Sequence, residues 1–233
     1  DDRLLFFIIG SVFLLFLGLL DDLTVLRAHQ KLFGQFIGCL CFLKGGFFLK
    51  EAFFSSFLNI FLSGFWFILI INAYNLVDVM DGLATTLAII PLIAFVVLGC
   101  VFEQWPIVLL LLSLVGALLG FLFHNRPPAR IYLGDAGALF IGGALAAVPF
   151  FFPWGNYNSA GYLAPVIMLS VPILELTSLV FIRLYKGIPF YDGSPDHFSL
   201  YLQKRGWSRQ RILLHAACFS IIVNIVALMF LFN

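Results

Sequence analysis

Asn72-Ala73-Tyr74-Asn75-Leu76-Val77-Asp78-Val79-Met80-Asp81-Gly82 stands between two apolar runs. About twenty largely apolar residues precede it, enough for a membrane span, and a second apolar run opens at Leu83. Two amides and two carboxylates therefore stand where a membrane helix leaves hydrocarbon. They recur at steps of three, and residues three apart on a helix are neighbours. The spacing predicts that Asn75, Asp78 and Asp81 form one oxygen-rich helical stripe.

The rest of the chain has the same character. Of its 233 residues, 62% are hydrophobic and only 11% charged, with a mean hydropathy of +1.07, which excludes a soluble domain. The expected class is an all-α, polytopic integral membrane protein. A net charge of +1 with no run of Lys or Arg implies no nucleic-acid partner. Cys39, Cys41, Cys100 and Cys218 all lie in apolar segments and read as small buried hydrophobes, not as a disulfide or zinc site.

Apolar helices are expected at 4–20, 31–49, 55–76, 83–101, 107–124, 133–152, 161–182 and 212–232. Each is about long enough to cross ~30 Å of hydrocarbon at about 1.5 Å per residue. In the second, Lys44-Gly45-Gly46 predicts a short helix followed by a turn. No repeat or linker divides the chain, so residues 1–233 are read as one transmembrane domain. The first residue is Asp1 and no signal peptide is visible, so either the chain was processed or, as is expected, an N-terminal part is missing.

Eight spans place alternate loops on opposite sides. One side takes Arg27, Lys31, Arg126, Arg130, Arg183, Lys186, Lys204, Arg205, Arg209 and Arg211; the other takes Arg3, Lys44 and Lys50. The positive-inside rule makes the first side cytoplasmic. Asp21, Asp22, Asp78, Asp81, Asp135, Asp192 and Asp196 fall on that same side, whereas Glu175 lies inside a predicted span. One Asp at a helix end is an ordinary boundary residue. Several carboxylates near hydrocarbon repel one another unless a cation neutralises them. Hard oxygen ligands without Cys or clustered His point to Mg²⁺, with Mn²⁺ as the alternative.

Three further stretches carry chemistry. Gly18-Leu19-Leu20-Asp21-Asp22 leads to His29, Lys31 and Gln35. Adjacent Asp residues on a helix point two ways, so one can face a metal or phosphate while the other caps a helix or meets water. His29 reads as an interfacial side chain. Lys31 reads either as a snorkelling lysine or as a phosphate ligand. His124-Asn125-Arg126-Pro127-Pro128 continues to Tyr132-Leu133-Gly134-Asp135-Ala136-Gly137, a stiff turn that presents one Asp between glycines. The last loop holds Arg183, Lys186, Asp192, Gly193, Ser194, Pro195, Asp196, His197, Lys204, Arg205, Trp207, Arg209 and Arg211. It reads equally as a headgroup-touching basic loop or as a phosphate-binding lid. Acidic metal ligands beside basic side chains at a membrane face suit metal-dependent phosphoryl transfer involving a lipid.

Residues 18–22 with Lys31 and Gln35, then 72–84, 125–139 and 172–207, together resemble the polyprenyl-phosphate N-acetylhexosamine-1-phosphate transferase family (glycosyltransferase family 4), which includes the phospho-N-acetylmuramoyl-pentapeptide transferases. The resemblance covers essentially the whole chain, in order and spacing. It implies that a polyprenyl phosphate, typically undecaprenyl, attacks the β-phosphate of a UDP-N-acetylhexosamine. UMP leaves, in an early membrane step of cell-wall or surface-glycan assembly. By motif position Asp135 resembles the Mg²⁺ ligand, and Asp21 and Asp22 the catalytic pair. Lys31, Asn75, Asp78, Asp81, Asn125, Tyr132, Arg183 and His197 resemble substrate-binding residues, with Tyr132 stacking on uracil. The implied setting is the bacterial cytoplasmic (inner) membrane, multi-pass, with the site facing the cytoplasm; the oligomeric state is left open, a homodimer being one candidate assembly.

The sequence departs from that pattern at three places. Val79 stands where the family usually has Gly. His197 is the single histidine of a loop that usually carries two or three, which argues against the muramoyl-pentapeptide branch. The family's first helices and a basic loop before Asp21 are not in this sequence. Three other readings compete: an inactive family member, a transporter using the carboxylates as cation sites, and a CDP-alcohol phosphotransferase. The last is disfavoured because Asp81-Gly82 leads to Leu83-Ala84-Thr85-Thr86 without an Arg or a further Asp pair.

Overall fold

The computed structural model describes residues 2–50, 55–156, 158, 160–189 and 195–232. All regular structure among them is helical: α1 (Asp2–Thr24), α2 (Ala28–Lys44), α3 (Ser56–Val77), α4 (Leu83–Val101), α5 (Trp105–Asn125), α6 (Gly134–Ala147), α7 (Ala164–Met168), α8 (Ser170–Tyr185), α9 (Phe198–Lys204) and α10 (Arg209–Phe232), with short 3₁₀ turns at Val148–Phe151, Trp154–Asn156 and Gly161–Leu163. The polytopic all-α expectation stands. Among the described residues six helices are long and apolar enough to cross a membrane, or seven if α7 and α8 with the turn before them count as one broken span. Eight were expected. The difference lies in α2, which spans 17 residues, ends at Lys44 and turns at Gly45.

The chain divides into two compact units, residues 1–75 with 133–151, and residues 76–132 with 152–233. In the first unit the buried residues of α1 are Phe7, Gly10, Ser11, Leu14, Gly18 and Asp21, a helical stripe that brings Asp21 inward. Exposed Leu5, Ile8, Phe16, Leu19 and Leu23 suit the other faces to lipid. Helices in lipid gain from close packing of small residues. A Cβ at Gly18 would run into the Asp135 carbonyl, and one at Gly142 of α6 would lie 2.7 Å from Ile71 Cα of α3. Trp66 donates its indole N–H to Ala146 O at 2.9 Å. At one end of the unit Arg3 donates to Phe150 O at 2.5 Å, with its guanidinium over the rings of Phe47 and Phe151. The charge is thus met by a carbonyl and two π faces.

In the second unit α4 is the most buried helix, packed by α5 and α10. Phe95, Phe152 and Trp154 stack beside it. The span expected at 161–182 is bent by 70° between α7 and α8. Pro172 explains the bend: it has no N–H for the carbonyl of Met168 four residues back, and its ring crowds that carbonyl. Asn224 of α10 donates to Met168 O instead, at 3.2 Å. A freed carbonyl in an apolar interior is thereby satisfied by a side chain from a neighbouring helix.

Candidate active site

Within the first unit, four predicted residues from four helices meet. Lys31 of α2 places Nζ 2.9 Å from Asp21 Oδ2, 2.8 Å from Asp135 Oδ2 and 3.0 Å from Asn75 Oδ1. An ammonium has three hydrogens, and all three are used. Asn75 in turn donates its Nδ2 to Asp135 Oδ1. Behind them Gln35 and Asn72 exchange amide hydrogen bonds at 3.2 and 2.8 Å, fixing α2 against α3. Lys31 is 17% exposed, Asp21 7% and Asp135 30%, so the cluster opens to solvent on the Asp135 side.

The two members of the Asp pair do different things. Asp21 turns inward, and its Oδ1 also accepts Leu26 N–H at 2.7 Å where α1 ends. Asp22 points to α6, where its two oxygens accept the N–H groups of Asp135 and Ala136 at 2.8 and 3.0 Å. These are orphan donors at a helix N-terminus, and an anion there gains from the helix dipole. Gly134 makes the approach possible. Its φ is +64°, and a Cβ on it would lie 2.7 Å from Asp22 Oδ2. Asp22 therefore orients Asp135, whose own carboxylate is left for Lys31 and Asn75.

Among the described residues no three His, Cys, Asp or Glu side chains come close enough to cage a metal by themselves. The donor set still suits a hard cation. Two carboxylates and an amide oxygen converge on one positive charge, now the Lys31 ammonium. Mg²⁺ typically takes one or two carboxylates and completes its shell with water and substrate phosphate. The cluster carries more negative than positive charge, so Lys31→Met is expected to destabilise the protein by about 1–3 kcal/mol. This is less than the fully buried case because Asp135 is partly solvated. A lowered midpoint in thermal unfolding in detergent checks this; an unchanged midpoint would mean that the lysine holds nothing together.

The second unit arranges the other predicted residues differently. The expected helical stripe through Asn75, Asp78 and Asp81 does not form. α3 ends at Val77, and residues 78–82 make turns closed by Val79 N to Val77 O and Leu83 N to Met80 O. Gly82, at φ +73°, starts α4. Asp78 and Val79 lie half-buried in these turns. Asp81 accepts Ala129 N–H at 3.2 Å and pairs with Arg209 Nη1 at 2.9 Å. Asn125 is 3% exposed: its Oδ1 accepts Gly82 N–H at 3.0 Å and its Nδ2 donates to Ile131 O at 2.9 Å. That amide ties the turn before α4 to the loop that ends at Tyr132. Pro127–Pro128 in this loop is joined by a cis peptide bond. Tyr132 is 76% exposed, so its ring is open to a stacking partner.

Arg183 on α8 is buried at 3% exposure. His197 is also buried, with its Nδ1 3.1 Å from Glu175 Oε1. Lys186 pairs with Asp196 at 2.6 Å. Asp192, Gly193 and Ser194, expected in the same loop, lie outside the described residues. Glu175 was given no role by the sequence reading. The available signal was an acid inside an apolar span followed by a loop with one histidine.

Comparison with known proteins adds an independent line. The family model described as "Glycosyl transferase family 4" matches residues 4–152, which contain Asp21, Asp22, Lys31, Asn75 and Asp135. A probable undecaprenyl-phosphate N-acetylglucosaminyl 1-phosphate transferase of Bacillus subtilis (strain 168) is 28% identical over 236 residues, covering 98% of this chain and 66% of the relative. A phospho-N-acetylmuramoyl-pentapeptide-transferase of Lactobacillus johnsonii is 35% identical over 201 residues, covering 80% of this chain and 60% of the relative. One of the same name from Enterococcus hirae is 31% identical over 241 residues, covering 92% and 70%. The chain thus spans roughly two thirds of the length of the curated relatives it matches.

Proposed function

The chain belongs to glycosyl transferase family 4, and from that premise we propose that it transfers an N-acetylhexosamine-1-phosphate from a UDP-sugar to a polyprenyl phosphate. A lipid phosphate oxygen forms a bond to the β-phosphorus of the UDP-sugar. The bond from that phosphorus to the bridging oxygen breaks, and UMP leaves with it. The observation that carries this reading is the meeting of Asp21, Asn75 and Asp135 at Lys31 Nζ. An oxygen-rich cluster built from four helices, with a polar support beneath it, is made for a charged ligand.

No strong base is required. A phosphate monoester with a second pKa of about 6 is already mostly dianionic at pH 7. The task left to the protein is to hold two anionic reactants in line and balance their charge. Lys31 supplies one fixed positive charge, and Asp22 orients the turn that carries Asp135. Asp21, Asp135 and Asn75 would hold Mg²⁺, which when bound supplies charge neutralisation at the diphosphate. Exposed Tyr132 offers a face to the uracil, and Arg183 and His197 offer positive or donor groups to phosphate or sugar. The excess of Lys and Arg on one set of loops supports a cytoplasmic-facing site in a bacterial inner membrane. By analogy with the relatives' names, N-acetylglucosamine-1-phosphate is the first donor to try and undecaprenyl phosphate the first acceptor.

The test is UMP release by the purified full-length protein with undecaprenyl phosphate and a panel of UDP-sugars, with Mg²⁺ or with EDTA. UMP is expected only when lipid and metal are both present, with one UDP-amino sugar clearly preferred. In the same samples without substrate, Mg²⁺ at about 100 times its dissociation constant should raise stability by about 2.7 kcal/mol. A folded protein that releases no UMP from any donor overturns the reading.

A further inference from the structure

We propose that Glu175 is a positioning residue for His197, holding its imidazole as the Nδ1–H tautomer so that Nε2 is the edge offered to the substrate. This rests on the transferase reading above and concerns a residue that reading does not use. Glu175 and His197 are each 5% exposed, and they come from α8 and from the residue just before α9. Burial of two such groups is costly unless each finds a partner. Glu175 Oε1 lies 3.1 Å from His197 Nδ1 and accepts Phe198 N–H at 3.2 Å. A carboxylate oxygen that accepts a backbone N–H beside the ring is an acceptor for the ring as well, so Nδ1 carries the hydrogen. The contact to Glu175 is made through Nδ1, which leaves Nε2 as the ring's other edge.

The same carboxylate lines a cavity of about 400 Å³ together with Ser178, Phe198, Tyr201 and Lys204. One edge of Glu175 thus fixes the ring and the N-terminal turn of α9, while the carboxylate also borders open space. A free imidazole in water favours the opposite tautomer, with the hydrogen on Nε2. An acid placed against Nδ1 reverses that preference and makes Nε2 an acceptor when neutral and a donor when charged. In a loop with one histidine, a ring locked in one tautomer gives that single side chain a defined role.

Nitrogen-15 NMR of the histidine-labelled full-length protein in detergent tests this. Loss of one resonance pair in His197→Gln assigns His197. The expected result is the Nδ1–H tautomer at alkaline pH in the native protein, a mixed or Nε2–H population in Glu175→Gln, and retention of the native tautomer in Glu175→Asp. In the UMP assay Glu175→Gln should lower kcat/KM for the UDP-sugar by about 10–100-fold, the usual range for a group that orients a functional histidine. Glu175→Gln should then cost little further activity in a His197→Ala background. A native Nε2–H tautomer, an unchanged tautomer in Glu175→Gln, or fully additive losses overturns the proposal. If the native protein releases no UMP, the transferase reading fails, and the tautomer measurement still decides the role of Glu175.

Discussion

Asp135→Asn is expected to slow UMP release by about 10²–10³-fold at saturating Mg²⁺, the usual cost of removing one preorganised charge-stabilising group. Asp135 presents two acceptor oxygens to two donors, Lys31 Nζ and Asn75 Nδ2. Asparagine offers one oxygen and one NH₂, so either Lys31 or Asn75 loses its acceptor. An unpaired, partly buried donor costs about 1–3 kcal/mol. Rate and thermal midpoint must therefore be measured on the same preparation. A rate within tenfold of the native protein would remove Asp135 from the reacting centre. A rate loss together with a midpoint collapse would show that the residue's main work is structural.

Gly18→Val is expected to abolish folding, with a loss of more than about 4 kcal/mol and little protein recovered from the membrane. A Cβ at position 18 would meet the Asp135 carbonyl and lie 2.5 Å from Ala136 Cα. Both neighbours are backbone, so no rotamer change relieves the clash. α1 and α6 would have to separate, and the hydrogen bonds of Asp22 to Asp135 N and Ala136 N would be lost. Gly120→Ala on α5 is the control: nothing lies within 4 Å of its added carbon. That change should be neutral or stabilise by up to about 1 kcal/mol through helix propensity. Native-like melting of Gly18→Val would mean that α1 and α6 do not pack at this point.

Much of this arrangement was legible before any coordinates. Apolar runs bounded by polar clusters located α3, α4, α5 and α10 to within a few residues, because hydrocarbon dictates where charge can stand. The buried stripe of α1 was also readable in retrospect. Gly10 and Gly18 fall on the same helical face as Asp21, so the inward member of the Asp pair could have been named. The period of three through Asn75, Asp78 and Asp81 misled, because periodicity says nothing once Gly82 takes a left-handed conformation and residues 78–82 become turns. The break at Leu169 had its cause in view in Pro172, yet composition alone read an unbroken span. The engagement of Lys31 with Asp135 and the reach of Asp22 to α6 are tertiary facts. No local pattern reports which of several loop Asp residues a lysine will choose.

Asp22 and the amide it receives from Asp135 are 113 residues apart in the chain. At a translation rate of about 5–20 residues per second, roughly 6–23 s pass between the synthesis of the two. Throughout that interval Asp21, Asp22 and Lys31 stand at the end of an inserted helix without the turn that will later engage them. The nascent chain thus carries a long-lived, polar and unfinished helix pair, the kind of intermediate on which insertases and membrane proteases act. A side chain at Gly18 or Gly134 would stand in the way of that late closure, against the Asp135 carbonyl in one case and the Asp22 carboxylate in the other.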